Sequence, residues 1–130
     1  MWSITEHGFI SLVEDKDDAE VLQVRGRDAA DIRAHFPDAR VYTADGADYR
    51  YRARVGRETV AQRLADLVRG ISYQSHFKDT AVLSSPANPA RLRALYGCWH
   101  SLAELQDYRP YSTVPRGEES TLHWDDEGAW

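Results

Sequence analysis

The stretch ADYRYRARVGRETV, residues 47–60, alternates arginine with tyrosine, alanine and valine and then changes its period. Tyr49, Tyr51, Ala53 and Val55 fall on one side of an extended chain, and Arg50, Arg52 and Arg54 fall on the other, as the two-residue repeat of a strand requires. Beyond Gly56 the apolar positions are Val60, Leu64, Leu67, Val68 and Ile71, a spacing that predicts a helix over residues 57–71 with one apolar side. A strand that runs into such a helix predicts a sheet with helices on its apolar face and arginines facing out.

Upstream, MWSIT and GFISLVE are joined through Glu6-His7-Gly8, which suits a tight hairpin. The polar turn EDKDDAE then leads to VLQVRGR, where Leu22, Val24 and Gly26 lie on one side and Gln23, Arg25 and Arg27 on the other. Asp28 can cap a short helix over AADIRAHF, with Ile32 and Phe36 turned inward and Pro37 ending it. ARVYT and YRYRARV, divided by a turn at Gly46, read as a second hairpin or a long bent strand pair. Downstream, Pro86 and Pro89 keep residues 72–89 from forming a long helix. Asn88-Pro89 then opens a last helix whose apolar stripe is Leu92, Leu95, Tyr96, Trp99, Leu102 and Ala103.

These elements predict an α+β fold: a mostly antiparallel sheet of about five strands, with two or three helices packed on one face as a two-layer sandwich. Residues 1–108 form the expected single domain, followed by a polar tail over residues 109–130. At 130 residues, 42% hydrophobic and 11% aromatic, the chain can build a core without disulfide support. The single cysteine, Cys98, forms no internal disulfide, and no basic-then-apolar leader or membrane-length apolar run is seen. The expected compartment is the cytoplasm, with no membrane partner.

The net charge of −5 is unevenly placed. Glu118, Glu119, Asp125, Asp126 and Glu127 follow Arg116, and setting those five aside leaves 16 acidic against 16 basic residues. In the tail, Trp124 and Trp130 flank Asp125, Asp126 and Glu127. Such a segment either folds back on its own domain or docks on a basic, grooved partner.

If the strands holding them are neighbours, Arg25, Arg27, Arg50, Arg52 and Arg54 form one basic sheet surface able to meet phosphates. The alternation turns Tyr49 and Tyr51 to the other face, which removes the stacking platform of single-strand binders. The row reads more simply as arginines of a solvated strand that discourage edge association and pair with nearby carboxylates.

Other constellations are weaker. EDKDDAE resembles a calcium loop, but counted from Asp15 its sixth residue is Glu20 and its twelfth is Gly26, where glycine and glutamate are needed. His7, His35, His76, His100 and His123 have no ligand spacing, so neither a metal nor another cofactor is expected. YQSHFKD gathers Ser75, His76, Lys78 and Asp79, yet adjacent side chains rarely converge on one reacting atom.

Taken as a set, the opening MWSIT to GRDAAD, ADYRYRARV, YQSHFKD and the tryptophan-bearing last helix resemble a family of small, uncharacterised bacterial and phage proteins over approximately residues 1–106. The resemblance implies a compact cytoplasmic domain of mobile-element background with no established activity, and it assigns no catalytic residue. The functional expectation is a non-enzymatic domain that binds another macromolecule, a protein first, through the arginine face or the tail. The alternatives are a nucleic-acid-binding module using the arginines and, third, an enzyme centred on His76, Lys78 and Asp79. A homodimer through a strand edge or sheet face is compatible with the same pattern.

Overall fold

The first two strands, Trp2–Thr5 (β1) and Gly8–Glu14 (β2), close on the two-residue turn Glu6-His7, with Thr5 paired to Gly8. Gly8 has φ 116°, a region glycine enters without the steric cost a side chain would bring. Val21–Gly26 (β3) follows, then a helix Ala29–His35 (α1), the two-residue strand Tyr42–Thr43 (β4) and Tyr51–Gly56 (β5). Arg57–Arg69 (α2) begins where β5 ends, and Gly56 serves both as the last strand residue and as the helix N-cap. A third helix spans Pro89–Ala103 (α3). The computed structural model describes residues 1–73 and 89–107. The chain divides into two units, Met1–Pro89 and Ala90–Trp130.

All strand pairs are antiparallel, in the order β1-β2-β3-β5-β4. This is the α+β class expected from the pattern. The two-residue period decides which side chains leave which face: Ile10, Leu12, Val24, Ala53 and Val55 point to one side. Ile32 and Phe36 from α1 and Val60 from α2 cover them, forming a single buried cluster. Removing that apolar surface from water, at about 25 cal/mol per Å², is the main stabilising contribution. Asp28 caps α1 as its sequence position implied, its Oδ1 accepting the Ala30 N–H at 2.8 Å. Capping of this kind is worth about 1 kcal/mol.

Three details depart from the periodicity. The expected strand over residues 39–43 shrinks to Tyr42–Thr43, because residues 37–39 still turn and bend after α1, the Ala39 N–H donating to the Phe36 carbonyl at 3.1 Å, and residues 45–49 turn and bend around Gly46 at φ 78°. Because of the turn at Gly46, Tyr49 precedes β5 and escapes its alternation: the ring is buried, but on the arginine side and apart from the main core. Finally, among the described residues the apolar stripe of α2 meets the core only toward its start. Val60 is buried and Leu64 packs on the core, whereas Val68 and Ile71 are 66% and 74% exposed, and the helix stops at Arg69.

In α3, described by itself, no residue is fully buried; Leu92, Leu95 and Tyr96 are half-buried, and Trp99 and Leu102 are exposed. Among the described residues, no helix is long and apolar enough to cross a membrane.

Candidate functional site

The face opposite α1 and α2 is built by residues one step out of phase with the core. Register places Trp2 beside Ser11, Ser11 beside Arg25, Arg25 beside Arg52 and Arg52 beside Tyr42, across all five strands. One pleat away, Val13, Gln23 and Arg54 form the adjacent row. The predicted arginines are therefore brought together with one exception. Arg25, Arg27, Arg52 and Arg54 share this face, but Arg50 lies outside β5, 5.8 Å over the ring of Tyr51, which packs on the helix-side core.

Most of these cations are already matched. Arg54 grips Asp15 with two donors, Nε to Oδ2 at 2.9 Å and Nη2 to Oδ1 at 3.2 Å. Gln23 Nε2 donates to the same Oδ2 at 2.7 Å, and the Asp17 N–H donates to Oδ1 at 3.0 Å. Asp15 is only 4% exposed. Its carboxyl is lowered from an ordinary 3.8 to about 2, chiefly by the Asp17 amide and the Gln23 side chain, then by Arg54, against the opposing effect of burial. The Asp15 hydrogen bond and charge raise Arg54 in turn. Tyr42 closes the row by donating from its hydroxyl to Gln23 Oε1 at 2.8 Å. Arg52 donates to the Tyr49 carbonyl at 3.3 Å and lies 4.0 Å from Asp48, and Arg50 lies 3.5 Å from Asp45. The last pair is solvent-exposed, a type worth about 0.2–1 kcal/mol.

Arg25 and Arg27 are held differently. Their guanidinium carbons sit 4.7 and 5.1 Å from the centroid of the Tyr49 ring, and Arg25 Nη2 donates to the buried Ser11 Oγ at 2.8 Å. Neither has a carboxylate partner among the described residues. Cation–π contacts contribute about 0.5–1 kcal/mol when exposed and about 2 when desolvated. Phe9 stacks on Tyr49 at 6.3 Å, and Trp2 meets Phe9 edge-on at 5.7 Å, so an aromatic path leads from the arginines to the β1 edge. Trp2 remains 73% exposed.

Sequence alternation found Arg25, Arg27, Arg52 and Arg54 but missed Asp15, Trp2, Phe9 and Tyr49. The signal for Trp2 and Phe9 was present in the out-of-phase positions of the first hairpin. Asp15 sits in a charge-rich turn, where nothing local marks one carboxylate as the buried one.

A substitution tests that assignment. In the native chain Asp15 adds stability that is fully present above pH 3.8 and is lost as the pH falls through about 2. Asp15→Asn turns one acceptor oxygen into an NH2 facing donors, so the variant should melt lower at neutral pH and show a shallower loss between pH 3.8 and 2. Superimposable melting profiles from pH 2 to 7 would remove the role given to Asp15.

A second polar cluster ties α1 to the hairpin. His35 Nδ1 lies 2.7 Å from the Asp31 carbonyl and Nε2 2.8 Å from Thr5 Oγ1, and Asp31 Oδ2 accepts the Phe9 N–H at 3.0 Å. Because a carbonyl can only accept, Nδ1 carries the proton and Nε2 takes the threonine hydroxyl. Thr5 and His35 have the contact of a hydroxyl and a base, but the imidazole is 1% exposed and burial lowers it to about 4, a weak base sealed from substrate.

The expected sites at Ser75, His76, Lys78 and Asp79, and in the tail at Trp124, Asp125, Asp126, Glu127 and Trp130, lie outside the described residues. Among the described residues, no group of three or more His, Cys, Asp or Glu side chains could hold a metal ion. No family model, curated protein or solved structure matches the chain.

Proposed function

We propose that this chain is a small non-enzymatic domain that binds another protein through the sheet face bearing Trp2, Arg25, Arg27 and Tyr42. The observation that carries the reading is the exposed Trp2 ring at one end of an aromatic path that ends under two arginines without carboxylate partners among the described residues. Tryptophan, tyrosine and arginine are the residues that most often dominate protein interfaces, where ring area and planar donors combine. A phosphate-binding surface needs positive charge along its whole length, whereas on this face Asp15 and Asp48 answer Arg54 and Arg52 and leave Arg25 and Arg27. Tyr49 is on this face but lies beneath Arg25 and Arg27, so its ring offers no base a place to stack.

The test compares protein capture with nucleic-acid binding. Immobilised wild-type chain should retain a protein that Trp2→Ala and Arg27→Ala each release, with affinity falling by about thirtyfold for a dominant contact worth about 2 kcal/mol. Single-stranded DNA and RNA should not bind at low salt. Tight binding with a steep inverse salt dependence, lost in Arg25→Ala and Arg27→Ala, would replace the protein reading with a nucleic-acid one.

A further inference from the structure

The two edges of the sheet differ. β4 at one edge is two residues long, and a short strand offers little to an incoming chain. β1 at the other edge runs Trp2-Ser3-Ile4-Thr5 without a charge, a proline or a bulge, the usual devices that keep edges from pairing. Its hydrogen-bond phase is set by Met1 and Leu12, which exchange both backbone bonds at 2.7 Å. In an antiparallel ladder such pairs alternate, so Ser3 and Thr5 bond to β2, while the N–H and C=O of Trp2 and Ile4 point away from the sheet. Among the described residues, β1 pairs only with β2.

We propose that a second copy of this chain pairs with this edge, antiparallel about a twofold axis at Ser3, and joins two five-stranded sheets into one. The motif is self-complementary in this register. Trp2 exchanges both backbone bonds with Ile4 of the partner subunit, the reciprocal pair forms by symmetry, and every outward group of the two residues is satisfied. Trp2 and Ile4 side chains, 73% and 40% exposed in the single chain, then stand directly opposite one another, an aromatic against a β-branched residue. The two Ser3 residues meet at the axis, where a small side chain avoids a clash. Charge does not oppose the contact. Arg25 lies on β3, two strands in from the edge, so the two arginine rows end roughly 24 Å apart at about 4.8 Å per strand, well beyond a Debye length of about 8 Å. The pairing shares Trp2 with the proposed partner-binding face but leaves Arg25, Arg27 and Tyr42 outside the contact, and it presents the arginine face twice on one continuous sheet.

Cross-linking reads the register directly. In full-length chain carrying Cys98→Ser, Ser3→Cys places two thiols in a non-hydrogen-bonded pair with Cα atoms about 4.5 Å apart, within disulfide range. Mild oxidation should give a covalent dimer on a non-reducing gel, whereas Thr5→Cys in the same background, which faces Met1 of the partner subunit, should stay monomeric. In sedimentation equilibrium the wild type should be a dimer. Ile4→Pro deletes an outward N–H without touching the bonds to β2, and by symmetry two intersubunit bonds are lost, so the dissociation constant should rise about tenfold or more. Ile4→Lys should weaken the dimer as well. Wild-type chain that sediments as a monomer at every concentration reached, or equal cross-linking through Ser3→Cys and Thr5→Cys, overturns the proposal.

Discussion

Acidifying the protein from pH 6.5 to about 4 is expected to cost it about 2–3 kcal/mol of stability through His35 alone. His35 is folded neutral, and its protonation is lowered from 6.5 to about 4, first by burial and then by His7 and Arg63. The unfolded chain therefore binds a proton before the folded one can. Stability is intact above 6.5, falls as the pH drops through the window and levels off below about 4, where both states are protonated. Every packed element contributes to the environment: α1 supplies the Asp31 carbonyl, the hairpin supplies Thr5 and His7, with the His7 ring 5.7 Å away, and α2 supplies Arg63. Urea unfolding at intervals from pH 3.5 to 7.5 measures the effect. His35→Gln keeps a polar side chain that does not titrate, so its stability should be lower at pH 7 and lack that slope. A variant with the wild-type slope would mean that another group carries the acid sensitivity. The Asp15 window, from 3.8 to about 2, lies lower, so the two contributions separate on one titration.

Gly26→Val is expected to lower stability by about 3 kcal/mol, near the upper end of what overpacking a core costs. Gly26 lies on the core face of β3, and a Cβ there would meet the Asp28 carbonyl oxygen at 3.1 Å and Ile32 Cγ1 at 3.2 Å. Ile32 is fully buried, so it cannot swing into water. The first contact is backbone belonging to the cap of α1, and the branched valine would have to lift the helix from the sheet. Gly56 supplies the control: a Cβ there meets only Thr59 Oγ1 at 3.6 Å, an ordinary contact. Gly56→Ala should change stability by less than about 1 kcal/mol, in either direction. Urea midpoints for the two variants check both statements. Equal midpoints would show that α1 tolerates displacement and that its close approach at Gly26 does not matter.

Both expectations concern α1, the element through which the sheet, the hairpin and α2 are coupled. Asp31 and His35 fasten it to β1 and β2, and Arg63 of α2 donates to its Ala34 carbonyl at 3.2 Å. Loss of α1 packing would loosen the hairpin that carries Trp2 and Phe9, so core stability and the proposed interface are linked through one helix.

Local periodicity was enough for the class of the fold. The apolar run over residues 8–14, the alternation in residues 21–26 and 51–56 and the cap at Asp28 are short-range effects of backbone geometry, and the structure reproduces them. The facing of Arg25, Arg52 and Arg54 follows from the same alternation, since pleating sends neighbours to opposite sides wherever a strand is placed. What tertiary structure alone decided was pairing. Strand order put Gln23 beside Arg54 and so selected Asp15, among several acids of one turn, as the buried carboxylate. The turn at Gly46 removed Tyr49 from the alternation and set it under Arg25 and Arg27, and of the α2 stripe Val60 and Leu64 reached the core while Val68 and Ile71 stayed exposed. Each of these depends on groups far apart in the chain, whose mutual attraction is realised only after the backbone has closed, and no count of residues along a single segment contains it.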